Sequence, residues 1–167
     1  ERGALKDWRQ RLSPYHQMML AIERRQYAPG GRRMVLAVSE LSRQEILDTY
    51  PDMPPANVAV LHYGVDVERF HPARRASDGA AVRDELGLAQ QQPVVLLVGT
   101  GFRRKGVDTL LEIWRREPPA GAALVVVGND QYLTSRTREA RELPGPVRFT
   151  GPRRDVERFY AAADLFA

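Results

Sequence analysis

Residues 94–107 read VVLLVGTGFRRKGV, and this stretch constrains the fold more than any other. Five apolar residues, Val94 to Val98, stop at Gly99. A loop follows with three glycines (Gly99, Gly101, Gly106) and three consecutive cations (Arg103, Arg104, Lys105). Val107, Leu110, Leu111 and Trp114 then recur at helical spacing. A short apolar run bounded by glycine reads as a buried parallel strand. The helix behind it turns its N-terminal N–H groups and positive dipole end toward the loop. Strand, cationic glycine loop and helix together favour an anion at the strand's C-terminal end, above all a diphosphate. The loop is not a P-loop, because Lys105 precedes the second glycine and Val107 follows it. Nor is it the dinucleotide fingerprint, since Gly99-Thr100-Gly101 lacks a glycine three residues on. A basic surface loop without a ligand is the competing reading.

From Val94 onward the pattern repeats. An apolar run at residues 123–127 ends at Gly128, a short strand at residues 147–149 ends at Thr150-Gly151, and a helical stretch separates them. Strand and helix in strict alternation predict a doubly wound parallel sheet, with ligands outside the carboxyl ends of its strands. Asp155 is expected to cap a last helix, with Val156, Phe159, Tyr160 and Ala163 facing inward.

The first part of the chain alternates in the same way. Residues 34–38 and 58–61 read as buried strands, with a helix from Glu40 capped by Ser39 between them. Gly64 is expected to adopt a backbone conformation closed to other residues, and Asp66 to cap the next turn. The fold class is therefore α/β, with two Rossmann-like parallel-sheet units. Residues 1–70 form one unit, residues 93–167 the start of another, and residues 71–92 a polar connector with one short helix stopped by Gly87. Residues 4–27 predict a helix with Leu5, Trp8, Leu12, Tyr15, Met19 and Ile22 on one face, interrupted at Pro14. Arg9, Arg11, Arg24 and Arg25 lie among its aromatics. Such a segment either packs on a sheet, the commoner case, or lies on an anionic bilayer surface.

Other chemistries find little support. The 167 residues carry a net charge of +4 and no cysteine, which removes disulfides and thiolate metal sites. Apolar runs fall short of the roughly 18 residues that a membrane span needs. His16, His62 and His71 are scattered, no Asp-x-Asp pair occurs, and no Gly-x-Ser-x-Gly elbow is present. Aromatic and basic residues do not interleave as on an RNA-binding sheet, so nucleic acid is not an expected partner. The chain starts at Glu1 and stops inside an apolar run at Ala167, so it reads as a piece of a longer protein.

In this order and at these intervals the motifs resemble the retaining glycosyltransferases of family 4, which have the GT-B fold. The matching residues are Ala37-Val38-Ser39-Glu40, Tyr63-Gly64-Val65-Asp66 with Phe70, and Val98-Gly99 through Arg104-Lys105-Gly106. Val127-Gly128, Arg148-Phe149-Thr150-Gly151 and Tyr160-Ala161-Ala162-Ala163-Asp164 complete the set. Within the family the pattern is most similar to the enzymes that glucosylate a lipopolysaccharide core heptose. The resemblance implies metal-independent transfer from a nucleotide-diphosphate sugar such as UDP-glucose, with no cofactor. It implies a lipid-linked or lipopolysaccharide glycan acceptor, and a cytoplasmic protein at the inner face of a bacterial inner membrane. Gly99, Thr100, Gly101, Arg103, Arg104 and Lys105 would hold the donor diphosphate. Gly128, Asn129 and the Arg148–Phe149 backbone would line the nucleoside. Two departures matter: Thr100 stands where many members have arginine, and Tyr63 where asparagine is typical. The family's active-site histidine and donor glutamate would lie outside this sequence, so no catalytic residue is expected within it, and no turnover by the chain alone. Another donor or acceptor, or a nucleotide-binding module without catalysis, would leave the same marks.

Overall fold

The structure, a computed structural model, describes residues 13–28 and 34–167. The predicted helix before Ser13, with Leu5, Trp8, Leu12, Arg9 and Arg11, lies outside the described residues. The chain divides into two compact units, residues 1–64 and 65–167.

In the first unit α1 (Pro14–Tyr27) starts with Pro14 in its first turn and Ser13 at the N-cap position. Proline suits that place, where its missing N–H has no helical partner to lose. No α1 residue is fully buried, and Tyr15, Met18, Met19 and Ile22 are exposed. Strands β1 (Val35–Ala37) and β2 (Val58–Val60) pair in parallel, Val35 opposite Val58. Between them runs α2 (Glu40–Thr49), where the Ser39 hydroxyl accepts the Ser42 N–H at 3.1 Å, as a capping serine should. Ala37, Met53 and Val58 form a small core, covered by Ile46 and Leu47 of α2. Leu36 is exposed, because α2 covers the opposite face of a two-stranded sheet. The expected buried strand over residues 34–38 is thus shorter and buried only at Ala37. Tyr27 stacks on Tyr50 at 4.4 Å, and the Tyr50 hydroxyl donates to Glu23 at 2.6 Å. That bond to a carboxylate, helped by partial burial, pushes the Tyr50 pKa up to about 12.

Gly64 does not do what its sequence context suggests. Its φ is not positive, and a Cβ there would meet nothing within 4 Å. Asp66 does cap its turn, accepting the N–H groups of Glu68 and Arg69 at 3.1 and 3.0 Å.

The second unit is built on four parallel strands: β3 (Val94–Val98), β4 (Ala123–Val127), β5 (Val147–Gly151) and β6 (Leu165–Phe166). Their order is β5-β4-β3-β6. The chain steps outward from β3 to β5, then returns to lay β6 on β3's other side. The switch point is therefore the gap between β3 and β6, and the glycine loop leaves β3 there. Each residue of β4 is buried, and its side chains alternate between two cores. Leu124 and Val126 pack with Leu97, Phe102, Val107, Leu111 and Trp114, beneath α4 (Val107–Arg116) and α5 (Leu133–Ala140). Val125 and Val127 pack with Val82, Leu96, Phe159 and Ala162, beneath α3 (Asp78–Glu85) and α6 (Val156–Ala162).

Residues 71–92 are packed into this unit. Val82 of α3 is 0% exposed, and Gly79 lies so close to α6 that a Cβ would sit 2.5 Å from the Ala161 carbonyl oxygen. Gly87, with φ +64°, follows the end of α3, as a helix-stopping glycine does. Phe159 and Ala162 of α6 are buried, and Val156 and Ala163 pack against the same core as expected, whereas Tyr160 is 37% exposed. Asp155 stands at the N-cap position but its carboxylate makes no cap bond. It receives Arg153 Nε and Nη2 at 2.9 and 3.0 Å and Arg158 Nη1 at 2.9 Å instead.

Candidate functional site

The three glycine-ended strands meet as expected. The Gly99 N–H donates to the Val127 carbonyl and the Gly128 N–H to the Gly151 carbonyl, each at 2.9 Å. Gly128 has φ +143°, and a Cβ on it would fall 1.8 Å from the Gly99 carbonyl oxygen. Only glycine permits that approach.

Beyond Gly99 the loop folds into a compact turn. Gly101, at φ +73°, offers its carbonyl to the N–H groups of Arg104 and Lys105 at 3.0 and 3.1 Å. Phe102 is buried in the core, 5.7 Å from the Phe149 ring. Its carbonyl accepts the Val107 N–H at 3.0 Å, and Gly106, at φ +80°, leads into α4. Anchoring Phe102 inward turns Arg103, Arg104 and Lys105 outward, and all three are exposed. Among the described residues none of them forms an ion pair. Arg115, Arg116, Arg136 and Arg153 each have a carboxylate partner. The stem of Lys105 passes over Gly99, with its Cγ and Cε 3.3 Å from where a Cβ would stand. Gly99 thus makes room for this lysine. Thr100 is exposed in the same loop.

An open cavity of ≈ 550 Å³ lies against the loop, lined by Gly101, Arg103, Arg104, Asp130, Gln131 and Tyr132. Of the nucleoside candidates, Gly128 and Asn129 follow the end of β4 and lead into Asp130 of the cavity wall. Arg148 and Phe149 are turned away. Arg148 Nε donates to the Leu86 carbonyl at 3.1 Å, and the Phe149 ring packs on the core. Only the main chain of these two remains for a ligand.

The family model described as "Glycosyl transferases group 1" matches residues 92–167. Those residues are a glycosyl transferases group 1 domain. The alpha-maltose-1-phosphate synthase of Mycolicibacterium smegmatis is 38% identical to this chain over 85 residues, 51% of the chain and 22% of that protein. The GDP-mannose-dependent alpha-(1-6)-phosphatidylinositol monomannoside mannosyltransferase of Mycobacterium tuberculosis is 33% identical over 145 residues, 82% of the chain and 36% of the relative. The lipopolysaccharide glucosyltransferase WaaG of Escherichia coli is 26% identical over 159 residues, 93% of the chain and 42% of the relative. A crystal structure of WaaG superposes with a TM-score of 0.77 at 27% identity, covering 93% of this chain and 43% of that one. The chain thus spans less than half the length of each, and its parallel α/β units are of the GT-B type.

The sequence reading of the group 1 domain missed Asp130, Gln131 and Tyr132 on the cavity wall. A signal for Asp130 was present. An aspartate two residues past a strand-ending glycine commonly accepts the N–H two positions on, as Asp130 Oδ1 does from Tyr132 at 2.9 Å.

Proposed function

We propose that the chain is the donor-binding part of a retaining, metal-independent glycosyltransferase. It moves a sugar, glucose in the leading reading, from a nucleotide diphosphate such as UDP to a lipopolysaccharide core heptose or similar glycan. One observation carries this: three exposed cations, without a carboxylate partner among the described residues, gathered at the switch point of a parallel sheet and at the N-terminal end of α4. As the glycosidic bond loosens, negative charge grows on the departing diphosphate. Arg104 and Lys105, with Arg103 and the helix end, stabilise that charge in the place of a metal ion. Gly99, Thr100 and Gly101 let phosphate oxygens approach the main chain, and Gly128 and Asn129 stand where the nucleoside would lie. The relatives' names specify both a glucosyltransferase and a GDP-mannose-dependent enzyme, so the donor is the first point to test. Titration of this chain with UDP, UDP-glucose and GDP-mannose, followed by ¹⁵N amide shifts, should move Gly99–Lys105 and Gly128 first. Absence of shifts there with all three would reject the site.

The exposed stripe of Tyr15, Met18, Met19 and Ile22, followed by Arg24 and Arg25 in the last turn of α1, supports contact with an anionic membrane face. Cosedimentation with phosphatidylglycerol vesicles should fall when Ile22 is replaced by Glu. Equal binding by both forms would remove this contact.

A further inference from the structure

Among the described residues, one carboxylate lines the cavity beside the cationic loop, that of Asp130. Asp130 Oδ2 accepts the Phe102 N–H at 2.9 Å, and Oδ1 accepts the Tyr132 N–H at the same distance. The first bond joins two different strand-to-helix connections, the loop after β3 and the loop after β4. It lands on the residue that orients the cations. Phe102 is fixed by its ring in the core, by its carbonyl on the Val107 N–H, and by its own N–H on Asp130. Arg103 and Arg104 follow directly, and both line the cavity with Asp130.

Two roles for such a carboxylate predict opposite signs. A carboxylate with free lone pairs in an anion site repels the ligand, so removing it tightens binding. A carboxylate whose two oxygens are both bonded to main-chain N–H groups has part of its charge spent on them. Its removal frees the loop to reorient and weakens binding. We propose that Asp130 is a positioning residue for the donor diphosphate, clasping the β3 loop so that Arg103, Arg104 and Lys105 face one anion. This rests on the donor-site reading above.

Asp130→Asn keeps one acceptor oxygen and Asp130→Ala keeps none. The test is ¹⁵N-detected titration of the whole chain and of both variants with UDP, with inorganic pyrophosphate and with uridine. It is accompanied by amide hydrogen exchange. Charge-assisted hydrogen bonds of this kind predict about tenfold weaker binding of UDP and pyrophosphate for Asp130→Ala, and about threefold for Asp130→Asn. Exchange should quicken at Phe102, Arg103 and Arg104 while the amides of β3 and β4 stay protected. Uridine, which has no phosphate, should bind all three forms alike. Unchanged or tighter pyrophosphate binding in the variants overturns the proposal, and so does an equal loss for uridine. If Asp130→Ala does not fold, Asp130→Asn alone decides by the same criteria. A wild-type chain that binds neither UDP nor pyrophosphate removes the donor-site reading as well. A wild-type chain that binds both, beside variants that bind equally well, removes only the role of Asp130.

Discussion

The carbonyl oxygen of Gly99 occupies the space that a side chain on Gly128 would need. A Cβ at position 128 would lie 1.8 Å from that oxygen, and the φ of Gly128 is +143°. Two strand ends are thereby pressed together beneath the candidate donor site. Gly128→Ala should cost more than about 3 kcal/mol, since the clash is with main chain and the strain adds to it. Gly87 also has a positive φ, +64°, but a Cβ there meets nothing within 4 Å. Gly87→Ala should therefore cost only about 1 kcal/mol, the left-handed penalty alone. Urea unfolding of the two variants checks the difference, and similar midpoints would contradict it.

The cations make the converse prediction, a large effect on function and little on stability. Arg104 is exposed and, among the described residues, has no ion pair, so Arg104→Ala should change unfolding by less than about 0.5 kcal/mol. Lys105 covers Gly99 with its stem, so Lys105→Met is the better test, since it keeps the packing and removes the charge. In the full-length transferase proposed above, each change should remove on the order of 2–4 kcal/mol of transition-state stabilisation. Steady-state kcat/KM for the donor measures it. Unchanged values in both variants would detach these residues from the reaction.

How far the sequence showed this depends on whether a feature is local. The β3–loop–α4 unit was legible because an apolar run, three glycines and a helical period all fall within about two dozen residues. Val107, Leu111 and Trp114 are buried as their spacing predicts. Asp130 was not legible in its main role, because its bond to Phe102 spans 28 residues. The helix at residues 78–85 buries Gly79, Val82 and Arg83, and of these only Val82 carries a hydrophobic signal. That is why the stretch read as a connector. Phe149 faces the core and Arg148 the Leu86 carbonyl, an alternation that follows from the pleat once the strand is placed. The register shift between Val126 and Val127, beside Gly151, could not be placed from sequence. Asp155 occupies the cap position, yet two arginines outcompete the helix N–H groups for its carboxylate.

That competition has a pH signature. The hydrogen bonds from Arg153, with help from Arg158, hold the Asp155 carboxyl well below the usual carboxylate range. Arg153 also reaches Glu85 at 2.9 Å and lies 4.8 Å over the Phe159 ring, so the cluster ties α6 to α3. A depressed folded pKa gives stability that is present above the unfolded value, about 3.9, and lost as pH falls through the folded one. Asp155→Asn should therefore lower stability by about 1 kcal/mol at pH 7, discounted for the partial exposure of the cluster. The gap between the two proteins should narrow steadily as the pH falls below about 4. Chemical denaturation at a series of pH values reads this directly. A gap independent of pH would mean that the carboxylate's charge is not what it contributes.

The last strand is held by a different arginine. Arg83, 3% exposed, donates to the carbonyls of Ala89, Gln92 and Ala162 and to Asp164 Oδ2. Asp164 in turn accepts the Val94 N–H at 2.8 Å, at the start of β3. Between them they fasten the start of β6 to the start of β3, at the end of the sheet opposite the glycine loop. The two partners are not equivalent. Arg83 is buried, while the Asp164 side chain is 37% exposed and also pairs with Arg75. Removing Asp164 leaves a buried guanidinium that still has three carbonyl acceptors. Removing Arg83 takes the donor from the Gln92 and Ala162 carbonyls and opens a space in the core. Arg83→Ala should therefore cost about 3 kcal/mol or more, and Asp164→Ala about 1–2 kcal/mol. Both should speed exchange at the Asp164 and Ala167 amides, which bond to the Val94 and Leu96 carbonyls at 2.9 Å. The amides of β4, on the other side of β3, should stay protected. A larger cost for Asp164→Ala than for Arg83→Ala would reverse the assignment of which partner carries the junction.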